Sequence, residues 1–370
     1  MNAAAIAIMM GFQGAPPVQD PELQFAKGFY LANPGDIGKS RLMVYVPEER
    51  LPVAKISPMH KWEFPFLTTG WSRPFKGEQE DDWALRLRVY HQRKREDNEP
   101  APFVARALMR LWDFNFTLLG LDHKRTINKG IVDVYLCWGG QPGGQHKFDV
   151  ETVGEFKRQV TVNTIYIYQL DSFTEPVEMM RELAHEYGHA SLPPVGGFKT
   201  PEDWGNGYLG EKIYLRYLRD ELAVRRLDPV DAMGATFAQL DAWVRENVDP
   251  LVLQAAAKGP DTKLLKMTGK QGMDSYLALA LFAQTILPSD RFSRSMTMIG
   301  SVKAADYPAA ILSAARESDT LMLTIPAMLR AKSIWIPLDA KAKINTPVIK
   351  RRGGWALIKT NSATLTVTNR

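Results

Sequence analysis

Cysteine is nearly missing from this chain: among 370 residues only Cys137 occurs. One thiol cannot close an intrachain disulfide, nor build the multi-thiolate zinc site of a finger or ribbon. Histidine is scarce as well, with six residues. Neither sign of charge dominates. The 46 Lys and Arg against 41 Asp and Glu leave +5, far from the dense basic stripe of a nucleic-acid binder. The apolar run from Ala3 to Phe12 is too short to cross a bilayer as a helix, which argues against stable membrane insertion. What is present is ordinary: 45% hydrophobic and 24% charged residues are globular proportions. The length suggests two or three domains with a core that needs no staples.

The N-terminal run has the length of a signal-peptide core. A small-residue exit follows it (Gly14, Ala15), then Pro16-Pro17. The pattern predicts export to the periplasm or exterior. Against it, no Lys or Arg precedes the run and Gln13 is a poor residue before a cleavage after Ala15. The alternative is a loose tail on a cytoplasmic protein.

Periodicity predicts an α+β protein in successive regions. Residues 1–20 are the possible signal or tail, and residues 21–100 read as β-rich. Arg41 to Val46 fits a strand, and Trp83 to Tyr90 alternates apolar and charged residues with period two, as a half-buried strand does. The charge run His91 to Glu99, with Arg93-Lys94-Arg95 offset by Glu96, Asp97 and Glu99, reads as a solvated connector. Residues 101–228 form the expected core: a helix over Pro102–Leu119, strands over Ile131–Trp138 and Asn163–Leu170, a helix from Pro176 to about Ala190 and another over Gly207–Leu227. Between the two strands lies a glycine-rich turn (Gly139, Gly140, Gly143, Gly144) without the Gly-Lys-Ser/Thr ending of a phosphate loop. Residues 229–330 read as several short helices, and residues 331–370 as a small β-rich segment.

The chemistry-bearing pattern is His185-Glu186-Tyr187-Gly188-His189, an HExxH sequence on a predicted helix that Ser172 or Thr174 can cap and that carries Pro176 in its first turn. Residues four apart on a helix share one face, about 6 Å apart at Cβ, so two neutral imidazoles can coordinate one Zn²⁺. Glu186, one position along, leans beside the metal and can act as general base for a metal-activated water. In a chain this poor in histidine a chance match arises on the order of once per hundred sequences. A third protein ligand is required, and no histidine lies between Ser191 and Thr200. Glu202, Asp203 and Glu211 are the candidates. Glu211 is favoured because it sits near the start of a rigid helix, whereas Asp203 and Glu202 lie in the preceding loop.

With these residues in view, the segment from about Pro102 to Leu227 resembles the catalytic core of a zincin metallopeptidase of the gluzincin type. The order of helix, strands, HExxH helix and helix with a ligand Glu is similar, and twenty-one residues separate His189 from Glu211. The resemblance implies His185, His189 and Glu211 as zinc ligands, Glu186 as general base, Zn²⁺ as cofactor and a peptide or protein as substrate. It covers about a third of the chain. A carboxylate found four residues after the ligand Glu in some gluzincins is absent here, where Leu215 stands.

Zincins bind peptides along an edge strand above the HExxH helix. Asn163 to Gln169 is either that strand or an interior one with Tyr166 and Tyr168 packed on one face. Tyr208, Tyr214, His146 and His123 are candidate oxyanion donors. Two other readings compete with a peptidase: a non-catalytic zincin-fold binding or scaffolding protein, and an anionic-polymer binder using the Arg-rich segments 86–95 and 216–226.

Overall fold

The computed structural model describes the strands within residues 29–91 and then residues 100–121, 131–153, 158–199, 201–297 and 302–369. The apolar run at residues 3–12, the charged connector at 92–99 and His123 lie outside the described residues. The protein is mixed α+β with open sheets, as the periodicities predict. Among the described residues, no helix is long and apolar enough to cross a membrane. Residue contacts divide the chain into two units: Met1–Asn115, Asp122–Ser191 and Leu218–Phe237 form one; Phe116–Leu121, Leu192–Tyr217 and Ala238–Arg370 form the other.

The first unit is built on an eight-stranded sheet. Its strands are β1 (Phe29–Ala32), β2 (Asp36–Ile37), β3 (Ser40–Pro47), β4 (Phe66–Ser72), β5 (Ala84–His91), β6 (Val132–Leu136), β7 (Gly143–Val153) and β8 (Arg158–Tyr168). The order is β1-β3-β4-β5-β6-β8-β7, with β2 paired to β3. The expected N-terminal β-rich region and the expected core thus share one sheet. Pairing is antiparallel from β1 to β5, parallel across β5-β6-β8, and antiparallel again at β7.

The period-two pattern sorts side chains onto two faces. Leu87, Val89, Val132, Val134, Leu136, Ile165 and Ile167 are fully buried. The other face carries Arg88, whose guanidinium holds Asp133 through two bonds of 2.5 and 2.6 Å. Burial alone would lower the Arg88 pKa, but the hydrogen bond and charge of Asp133 outweigh it and hold the guanidinium above its ordinary range. Beside this pair, Tyr90, Tyr135 and Tyr166 stack across three strands at 4.9 and 5.3 Å.

Helix α1 (Ala101–Phe114) continues into a π-helical turn, Asn115–Leu119. Val104, Ala107, Leu108, Leu111 and Trp112 form its fully buried stripe, the spacing of an amphipathic helix. It packs closely on β4: a Cβ placed on Gly70 would stand 2.5 Å from the Met109 sulfur. Arg106 and Arg110 both reach Asp231 Oδ1, at 2.7 and 3.0 Å. Helix α2 (Pro176–Ser191) packs on β7 and β8.

In the second unit, β9 (Val195–Gly196) pairs parallel with β10 (Val302–Lys303). Helix α3 (Asn206–Ala223) begins in this unit just after β9 in the chain, and its residues from Leu218 on belong to the first unit. Helices α4 (Phe237–Asn247), α5 (Asp249–Lys258), α6 (Thr262–Leu265), α7 (Lys270–Ile286), α8 (Ser289–Thr297) and α9 (Tyr307–Arg316) follow. In α7, Met273, Tyr276 and the stretch Leu277–Ala283 are buried together, while Lys270 and Gln271 at its start are exposed; a stretch apolar on every side belongs inside a core. The C-terminal segment forms two three-stranded antiparallel sheets. In one, β11 (Thr320–Thr324) and β13 (Lys343–Ile344) flank β16 (Thr364–Thr368). In the other, β12 (Ser333–Pro337) and β14 (Val348–Arg352) flank β15 (Trp355–Lys359).

Candidate metal centre

Helix α2 starts where the Pro176 signal places it. The Glu178 carboxylate reaches back to the Thr174 backbone N–H at 3.1 Å and to the Glu175 N–H at 3.3 Å. These are donors that a helix start leaves without intrahelical partners. The N–H bonds of Glu175 and Thr174 hold the Glu178 carboxyl below its ordinary pKa. At the other end, the Ser191 hydroxyl donates to the Tyr187 carbonyl at 2.6 Å and Asn163 Nδ2 donates to the Ala190 carbonyl at 3.0 Å. Both ends of the helix are therefore tied down, and the four-residue spacing within it is held rigid.

That spacing does what the sequence predicts. The rings of His185 and His189 are 5.0 Å apart, edge to face at 72°, and both are half-buried. Two imidazole nitrogens on one helical face are two of the three protein ligands of a catalytic zinc, and a carboxylate oxygen suits the third place.

The three candidate carboxylates belong to the second unit. Glu211 lies on α3, 8% exposed, with its carboxylate 3.9 Å from the Lys212 ammonium. Glu202 is half-buried and Asp203 exposed, both in the segment between β9 and α3. A loop ligand depends on the path of the chain between Ser191 and Asn206, which no local periodicity encodes.

Glu186 is 4% exposed and lies against the start of β7. A Cβ added to Gly144 would meet Glu186 Cγ at 2.5 Å and Oε1 at 2.8 Å. One turn earlier, Glu182 Oε1 accepts the Gly144 N–H at 2.6 Å. Glu182, His185, Glu186 and His189 are spaced i, i+3, i+4, i+7, a single helical face. Glu182 was not singled out from the sequence, although that spacing was there to read.

Of the candidate oxyanion donors, His146 stands beside the motif in the first unit. Its ring stands 6.0 Å from that of His189, nearly parallel. His146 Nε2 is 2.6 Å from Asn163 Oδ1. Because the Asn163 amide nitrogen is committed to the Ala190 carbonyl, its oxygen faces the imidazole, which assigns the His146 proton to Nε2. Neutral His146 therefore presents its proton to Asn163 rather than to a substrate. Tyr214 is fully buried, and Tyr208 lies 5.7 Å from the Lys212 ammonium across its ring face.

The strand over Asn163–Leu170 is interior: β8 lies between β6 and β7. Among the described strands the edge position beside it belongs to β7, which begins within the glycine cluster that the sequence reads as turn. Gly143 and Gly144 have poor strand propensity, and they mask the strand that follows. Cys137 is buried, and burial pushes its thiol up to about 12, so it stays protonated and takes no part as a thiolate ligand.

No protein-family model matches the chain, and no curated protein matches it.

Proposed function

We propose that the chain is a zinc-dependent peptidase, with His185 and His189 holding the ion, Glu211 as the favoured third ligand over Glu202 and Asp203, and Glu186 serving as general base. What supports this reading is the pair of imidazoles on one face of α2, their rings 5.0 Å apart, with the glutamate of the same HExxH sequence buried. The cation, when bound, would supply Lewis acidity that makes water a nucleophile near neutral pH. The Glu186 carboxylate would accept a proton from water at this face and return it to the leaving amine. Burial of Glu186 beside Gly144 keeps bulk solvent from the carboxylate. The edge strand β7 supplies main-chain groups to which an extended peptide can add.

A second reading, a non-catalytic binding protein, draws on the same burial, since a glutamate packed against a strand also describes a closed cleft. Zinc stoichiometry combined with casein hydrolysis separates the two. We expect one zinc per chain in wild type and in Glu186→Ala, with hydrolysis at least ~100-fold lower in the variant, the scale of a lost general base. Zinc bound equally by both with no hydrolysis by either supports the binding protein.

A further inference from the structure

We infer that Glu182 and the Gly143-Gly144 pair form a positioning device that sets the Glu186 carboxylate against the edge strand. The inference rests on the peptidase reading for its catalytic consequence, but its geometry stands on α2 and β7 alone. Gly143 adopts φ +125°, a conformation that L side chains rarely take. It turns the chain into β7 so that the Gly144 N–H meets Glu182 Oε1 at 2.6 Å. Gly144 then has no room for a side chain, because a Cβ there would overlap Cγ, Cδ and Oε1 of Glu186 at 2.5 to 2.9 Å. The two acids stand one helical turn apart, a like-charge spacing that is unfavourable on a helix by itself. A charge-assisted bond from the strand backbone to Glu182 fixes the first carboxylate. The missing side chain at Gly144 admits the second. Glu182 thus acts through Gly144 and is a positioning residue, not a catalytic one.

The test compares wild type, Glu182→Ala, Glu182→Gln and Gly144→Ala, each checked for folding by thermal denaturation. Hydrogen exchange of the Gly144 amide is read by NMR without metal, and kcat and KM for a peptide are read with zinc. In Glu182→Ala the Gly144 amide should exchange at least ~10-fold faster, with neighbouring β7 amides unchanged, because its acceptor is gone. Its kcat should fall about 10- to 100-fold at near-constant KM, the effect of a misplaced reacting group. Glu182→Gln, which keeps an acceptor oxygen, should restore both. Gly144→Ala should lower kcat in the same way. Unchanged Gly144 exchange in Glu182→Ala overturns the inference whether or not the protein cleaves peptides. So does wild-type kcat in Gly144→Ala. Faster exchange in Glu182→Ala in a protein that shows no Glu186-dependent hydrolysis upholds the Glu182 contact and overturns the peptidase reading alone.

Discussion

Glu202 and Glu211 are nine residues apart in sequence, one in a loop and one on α3 beside the Lys212 ammonium. Zinc affinity should divide them. Glu211→Gln should weaken zinc binding by more than the ~10–100-fold that loss of an outer partner costs. Glu202→Gln should leave affinity unchanged. Competition titrations with a chelating dye measure both. Cys137 makes a residue-scale control: its buried, protonated thiol predicts that Cys137→Ala binds zinc as wild type does. The sequence made the two histidines and Glu186 legible because α-helix geometry converts a spacing of four into a shared face. It left the third carboxylate open because a loop residue is placed by tertiary contacts.

At the scale of elements, α1 and α2 each depend on a polar tie. Asp231 is 1% exposed and accepts from both Arg106 and Arg110. Burial would raise its pKa, yet the charge of Arg110, the Asp228 N–H and the Arg106 hydrogen bond hold it below the ordinary value. A depressed folded pKa contributes stability above the unfolded value of about 3.9. That contribution is lost as pH falls through the lower folded value. Asp231→Asn should therefore cost on the order of 3 kcal/mol near pH 7, since it strands buried guanidinium charge. The difference from wild type should shrink below about pH 4. Urea denaturation at pH 7 and pH 3.5 measures it. For α2 the tie is Asn163, fully buried between the Ala190 carbonyl and His146. Asn163→Ala removes a buried donor and acceptor together and should cost about 1–3 kcal/mol. It should also free the His146 ring, which NMR of its imidazole protons would register.

For the whole molecule, strong periodicity was readable and weak propensity was not. The α1 stripe from Val104 to Trp112 and the Val132–Leu136 strand were visible because every apolar residue there meets the core. Strand β7 was hidden because it opens with Gly143 and Gly144, residues of poor strand propensity. The interior place of β8 follows from β7 and could not be read without it. The arrangement of helices around α7 was not legible, since its buried stretch Leu277–Ala283 has no polar face to orient it.

Zinc-dependent hydrolysis at the HExxH face of α2, with Glu186 as general base, is open to one direct test. The most direct measurement is the rate of peptide-amide cleavage after chelation and again after return of one equivalent of zinc, in wild type and in Glu186→Gln at equal zinc content. Wild type should lose cleavage on chelation and regain it with zinc, while Glu186→Gln should bind the ion and stay at least ~100-fold slower. Cleavage that survives chelation, or that proceeds at the wild-type rate without the Glu186 carboxylate, would contradict a zinc-dependent centre on α2.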